Sequence, residues 1–235
     1  MIADWAISLK ENIESVQRRI RDAAVRSGRN PSDIMLLGVT KMVEPDVMRN
    51  AYDLGICNFG ENRVQEFIRK ADIINRECDW HIIGRLQTNK IRYLDNRIKL
   101  IHSLDRFELA QALQDRGLRL GRIWNVLVEV NISGEETKTG LNPENVKDFV
   151  NEVAKMGNIH INGLMTIAPY TVNSEDVRWV FGDLKKIAVD IQRERIQNIN
   201  MEDLSMGMSN DFEVAVEEGA TIVRVGSAIF GERNY

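Results

Sequence analysis

Eight short apolar runs, each followed by a stretch of helical spacing, restrict this chain to very few folds. The runs lie at residues 34–40, 56–60, 79–84, 100–104, 124–132, 160–167, 204–208 and 222–226. Their length suits strands rather than buried helices, and the first is preceded by the turn signal Asn30-Pro31-Ser32-Asp33. Between them, residues 45–54, 64–74, 89–94, 107–118, 143–154, 177–191 and 211–218 read as helices, several with apolar side chains at three- and four-residue steps. Pro45 and Pro143 open two of these helices, and Gly55 closes one. Strand–helix alternation gives a parallel sheet, and eight units close into a (β/α)8 barrel of TIM type. An open doubly wound sheet is the rival architecture, but no G-x-G-x-x-G turn follows the first strand.

An extra N-terminal helix, residues 3–27, precedes the barrel. Trp5, Ile7, Leu9, Ile13, Val16, Ile20, Ala23 and Ala24 form its apolar stripe, and Gly28 is its stop signal. No Pro/Ser-rich linker divides the 235 residues, so 1–235 is expected to be a single domain. A net charge of -4 argues against a nucleic-acid protein held by bulk electrostatics. Arg18, Arg19 and Arg21 alternate with acids and read as a solvated face. Cys57 and Cys78 are the two cysteines, with no C-x-x-C, which points to a reducing cytoplasmic setting. No run is long enough to span a bilayer. His81, His102 and His160 lack metal-ligand spacing, so no metal is expected. The helices show no broad apolar stripe suited to an obligate interface, so a monomer is expected.

Lys41 stands at the end of the first apolar run, and parallel α/β folds bind ligands at that end of a strand. Partial desolvation there would lower its pKa and free the amine as a nucleophile toward an aldehyde. The plainer alternative is a strand-end lysine reaching into solvent. Two further turns belong to the same end of a barrel: residues 205–211 after the seventh strand and 224–228 after the eighth. Each pairs a glycine with a serine, Gly207 with Ser209 and Gly226 with Ser227, next to an expected helix start whose free N–H groups favour an anion. Taken singly, Ser209 and Ser227 also read as helix N-caps. Taken together they suggest a phosphate cradle. A phosphate at one end and an aldehyde at the other describe pyridoxal 5′-phosphate, held as a Schiff base on Lys41. Arg224 lies two residues before Gly226, so both point to one side of the strand. Its guanidinium would face the pyridine nitrogen and discourage protonation there, leaving a weak electron sink. An ion pair at the barrel mouth is the alternative for Arg224. A phosphosugar-binding barrel without a covalent cofactor also fits the two turns.

Eight motifs appear in order from about residue 34 to 231: GVTK (38–41), NFGENRVQE (58–66), WHIIGRLQTNK (80–90), IHSLD (101–105), VNISGEETKTGL (130–141), GLMTI (163–167), LSMGMSND (204–211) and VRVGSAIFG (223–231). Through them the chain resembles the pyridoxal phosphate homeostasis proteins, a group similar to the alanine racemase N-terminal domain and assigned to fold type III. The resemblance implies that Lys41 bears the cofactor, that Arg224 faces the pyridine nitrogen, and that Ser209, Gly226 and Ser227 hold the phosphate. It further implies that Asn62, His81 and Met165 line the ring pocket. Arg63 departs from the aromatic residue that many relatives carry after GEN, and Arg85 occupies a variable rim position. Racemases of this fold add a β-rich domain and a tyrosine base; here four residues follow Gly231, and Tyr52, Tyr93, Tyr170 and Tyr235 stand in no matching motif. The expectation is a non-catalytic carrier or buffer of the cofactor, with PLP-requiring apoenzymes as clients. A small amino-acid racemase of low activity is the alternative.

Overall fold

The computed structural model describes residues 4–231, so the expected helix start at Ala3 and the terminal Tyr235 lie outside the described residues. Eight parallel strands close into a barrel in sequence order: β1 (Met35–Val39), β2 (Asn58–Glu61), β3 (Asp79–Ile82), β4 (Ile98–Leu104), β5 (Trp124–Glu129), β6 (Ile159–Met165), β7 (Ile199–Ser205) and β8 (Ile222–Val225). Closure is made by β1, which pairs with β2 on one side and β8 on the other. The helices are α1 (Asp4–Arg26), α2 (Pro45–Asp53), α3 (Val64–Ile74), α4 (Phe107–Leu120), α5 (Val146–Val153), α6 (Arg178–Arg193), α7 (Phe212–Glu218) and α8 (Ser227–Phe230). The expected (β/α)8 barrel with an extra N-terminal helix is what forms.

Several boundaries differ from expectation. β7 occupies 199–205 rather than 204–208. Its first half hides in polar sequence: Met201 is buried while Glu202 is exposed, which is the signature of a half-solvated strand. The shift matters, because it leaves Met206 to Asp211 as a loop beyond the strand end. β5 and β6 stop at Glu129 and Met165, short of 132 and 167. The expected helix at 89–94 is a 3-10 segment, Thr88–Tyr93.

The extra helix closes the outer ring. α8 has only four residues, too few to cover β8 and β1, and α1 packs against α8, α7 and α2 in its place. Leu9, Ile13, Val16, Ile20, Ala23 and Ala24 are buried along that contact. Each fully buried Leu, Ile or Val contributes about 1.5–3 kcal/mol. Asn12 Nδ2 donates to the Ile229 carbonyl at 3.1 Å. Arg19 departs from the expected solvated face: it pairs with Glu213 at 2.6 Å and lies 4.5 Å from the centroid of the Phe212 ring. Arg18 and Arg21 are exposed.

Side chains alternate across the barrel wall. Leu37, Leu100, Leu127, Met165 and Ile222 form a separate buried cluster inside it. Trp80 packs with Phe59 and Phe67 in the larger core between strands and helices. Among the described residues no helix is long and apolar enough to cross a membrane.

Candidate functional site

A cavity of about 810 Å³ opens at the carboxyl ends of the strands, and Lys41, Asn62, Ser209, Arg224, Gly226 and Ser227 all line it. Strand alternation explains how β1 delivers Lys41. Val39 and Lys41 line the cavity, whereas Thr40 between them is fully buried on the other side of the wall. Lys41 itself is half-buried.

The two serine-bearing turns are joined to each other. Ser209 Oγ accepts hydrogen bonds from the backbone N–H of Gly226 at 3.4 Å and of Ala228 at 3.3 Å. Ser209 therefore does not cap its own following helix. That position belongs to Asp211, whose Oδ1 accepts from Met208 N–H at 2.5 Å. Ser227 is likewise the first residue of α8 and not its cap, which is Gly226. Gly207 makes the fold-back possible. Its φ is +89°, and a Cβ there would stand 2.6 Å from Ala215 Cβ and 2.9 Å from Phe212 Cα. Both contacts to Ser209 exceed the usual N–H···O range, so a charged oxygen would compete well for the same donors. The cradle thus fits a phosphate.

Arg224 lies on the floor, nearly sealed from solvent. Nη1 donates to Ser205 Oγ at 2.6 Å and Nη2 to the Thr166 carbonyl at 2.8 Å. Burial pulls its pKa down to about 10 against the opposing pull of Asp211 and Glu129, so it stays charged at neutral pH. Burial pushes the Asp211 carboxyl up, opposed by the Met208 N–H and by Arg224. Asn62 is set by a close backbone approach: a Cβ on Gly84 would lie 2.6 Å from the Asn62 carbonyl oxygen.

His81 and Met165 are not on the cavity wall. Met165 is fully buried in the apolar cluster inside the barrel. His81 belongs to a chain of contacts beneath the floor that the sequence did not announce. From Arg224 the chain runs through Ser205 Oγ to His102 Nδ1 at 2.9 Å, and from His102 Nε2 to His81 Nδ1 at 2.9 Å. A guanidinium only donates, so Ser205 Oγ accepts from Arg224 and keeps its one proton for the acceptor within reach, His102 Nδ1; in that tautomer His102 Nε2 donates to His81 Nδ1. Both imidazoles are then neutral. Burial, with the Lys99 charge adding to it, pulls His81 down to about 3. Burial, His81 and Arg224 hold His102 well below the usual range. Spacing in the sequence separates these histidines, but β3 and β4 are neighbours and place them side by side. Lys138, Tyr170 and Asp211 also line the cavity and come from loops that carry no periodic signal. Arg63 and Arg85 are both exposed.

Comparison with known proteins places this arrangement. The family model described as alanine racemase, N-terminal domain, matches residues 8–234. An alanine racemase from Clostridium difficile 630 shares the fold, with a TM-score of 0.73 at 17% identity; the match covers 97% of this chain and 57% of that one. Barrel and match together define a barrel of the alanine racemase N-terminal type. Closer in sequence is the pyridoxal phosphate homeostasis protein of Aquifex aeolicus, 48% identical over 226 residues, which cover 96% of this chain and 98% of the relative. PipY of Synechococcus elongatus, solved with PLP bound, is 31% identical with a TM-score of 0.82, covering 95% of this chain and all of that one. The chain belongs to the pyridoxal phosphate homeostasis protein family.

Proposed function

We propose that this chain binds pyridoxal 5′-phosphate as a Schiff base on Lys41 and serves to hold and buffer it in the cytoplasm, releasing it to PLP-requiring apoenzymes, rather than to turn over a substrate. The observation that carries this reading is the convergence of an amine, a guanidinium and two serine-bearing turns on one cavity. The cofactor supplies an aldehyde and an electron-accepting ring; the chain supplies the rest. Lys41, whose side chain lines the cavity at the end of β1, would supply the amine with which that aldehyde condenses. Ser209, Ser227 and the Gly226 and Ala228 N–H groups hold the phosphate. Arg224 offers a permanently charged donor to the ring nitrogen and keeps a proton off it, which disfavours carbanion chemistry. Asn62 borders the ring. His81 and Met165 support the floor from below.

The racemase reading draws on the family model and on Tyr170, the tyrosine on the cavity wall. Tyr170 is 84% exposed, a poor setting for an opposing base that must work away from bulk water. Loss of the α-deuteron from labelled alanine at a catalytic rate would favour it.

Titration with pyridoxal phosphate tests the main reading. The wild type is expected to develop a visible band at one equivalent. Lys41→Ala is expected to lose the band and to hold the ligand more than about tenfold more weakly, ~1.4 kcal/mol or more. A colourless wild type that still bound phosphorylated sugars would instead support the noncovalent phosphate-binding barrel.

A further inference from the structure

Behind Lys41, on the outer side of the barrel wall, lies a fully buried lysine. Lys70 of α3 is 0% exposed, and its ammonium group has three acceptors: the Thr40 carbonyl at 2.6 Å, Glu61 Oε1 at 2.8 Å and Glu66 Oε2 at 3.1 Å. Glu61, at the end of β2, is also fully buried and accepts from Thr40 Oγ1 at 2.7 Å. Glu66 Oε2 accepts from the Met42 N–H at 3.0 Å. The residues on both sides of Lys41 are therefore tied to one ionic cluster, through the carbonyl and hydroxyl of Thr40 and the N–H of Met42.

The segment so tied is a tight turn. The Val43 N–H closes onto the Thr40 carbonyl at 2.9 Å, with Lys41 and Met42 as its central residues. Met42 has φ +61°, in the left-handed region that glycine or asparagine normally fills at this point of a turn. Met42 is 54% exposed and has no packing reason to adopt that conformation. A left-handed methionine persists only where its surroundings over-determine it, and the bond from its N–H to Glu66 is the local cause on hand. The Thr40 N–H continues the β1–β2 ladder to the Gly60 carbonyl at 3.0 Å, so the near side of the turn is also fixed.

We propose that Lys70, Glu61 and Glu66 are positioning residues: a buried ionic clamp that holds the Thr40–Val43 turn and so keeps the Lys41 amine directed into the cavity. This rests on the reading that Lys41 is the attachment residue. None of the three lines the cavity, so their effect on ligand capture passes through the turn.

Glu66 is the practical handle, because it is partly exposed and its loss leaves the Lys70–Glu61 pair intact. Glu66→Ala and Glu66→Gln should be compared with wild type, using pyridoxal phosphate and pyridoxine 5′-phosphate, whose alcohol cannot condense with an amine. Glu66→Ala is expected to slow capture of the aldehyde about tenfold or more, since small misplacements of a reacting group cost rates of that order. Its affinity for the alcohol should stay within about twofold, and Glu66→Gln, which restores an oxygen acceptor for Met42, should recover most of the capture rate. In the ligand-free protein, the Met42 amide should be protected from hydrogen exchange in wild type and about tenfold less so in Glu66→Ala. Equal capture rates in wild type and Glu66→Ala would overturn the clamp while leaving the attachment reading intact, and so would equal loss of both ligands. A wild type that forms no covalent product on Lys41 would remove the attachment reading, and the clamp's role with it.

Discussion

Lys70→Met is expected to destabilise the protein by about 3–5 kcal/mol at pH 7, the usual cost of removing one partner of a buried ion pair. Methionine keeps the apolar stem packed between β2 and α3, so the loss reads the charge and its hydrogen bonds rather than a cavity. What remains is Glu61, fully buried, with Thr40 as its one hydrogen-bond donor among the described residues. Burial already pushes the Glu61 carboxyl up, and Lys70 is the strongest influence pulling it back. Two consequences follow for urea denaturation. Adding Glu61→Gln to Lys70→Met should recover stability, leaving a deficit of about 1–2 kcal/mol for imperfectly paired polar groups. The deficit of the single variant, taken against wild type at the same pH, should shrink as pH falls. A carboxyl whose folded pKa is raised destabilises the fold when ionised, and that penalty fades as protonation is reached on the way down toward the unfolded value near 4.5. A deficit below about 1 kcal/mol at pH 7 would mean that the cluster is hydrated.

Acid should weaken the fold through His81 and His102. Both are buried, and both have folded pKa values below the unfolded value of about 6.5, His81 at about 3. Below pH 6.5 the unfolded chain therefore binds protons that the folded chain refuses, and stability falls with pH until the folded values are reached. Each histidine contributes about 1.4 kcal/mol per pH unit, so the pair removes about 4 kcal/mol between pH 7 and pH 5. Glu129 and Asp211, raised by burial, act in the opposite sense, but they do so in wild type and variant alike. The measurement is the change in unfolding free energy from pH 7 to pH 5 in wild type and in His81→Leu/His102→Leu. The variant should lose less than wild type by about 4 kcal/mol. Equal losses would contradict a neutral His102–His81 pair beneath the floor.

Much of the architecture was legible because its signals are local. Apolar run length, turn residues and helical spacing are read within ten or so residues, and strand alternation alone places Lys41 and Arg224 on the cavity side. What escaped is what depends on distant partners. β7 was misplaced because Asn200, Glu202 and Asp203 break the apolar pattern, although Ile199 and Leu204 pair with β6. The role of α1 could not be read from its own stripe, since it follows from the shortness of α8 at the other end of the chain. Arg19 and Lys70 look alike in sequence, as cations on helices among acids. One binds a half-exposed glutamate on α7, and the other is sealed behind β1 and β2. Likewise, nothing in the twenty residues between His81 and His102 announces that the register of β3 with β4 brings the rings together.

The central claim is that Lys41 captures the aldehyde of pyridoxal phosphate within this cavity. Borohydride reduction of the loaded protein followed by peptide mapping tests it most directly, because reduction converts the C=N bond into a stable amine on whichever lysine carries it. The expected result is one pyridoxyl group per chain, on the peptide containing Lys41, and none in Lys41→Ala. A reduced protein carrying no added mass, or carrying it on Lys138 or a surface lysine while Lys41 stays free, would contradict the account.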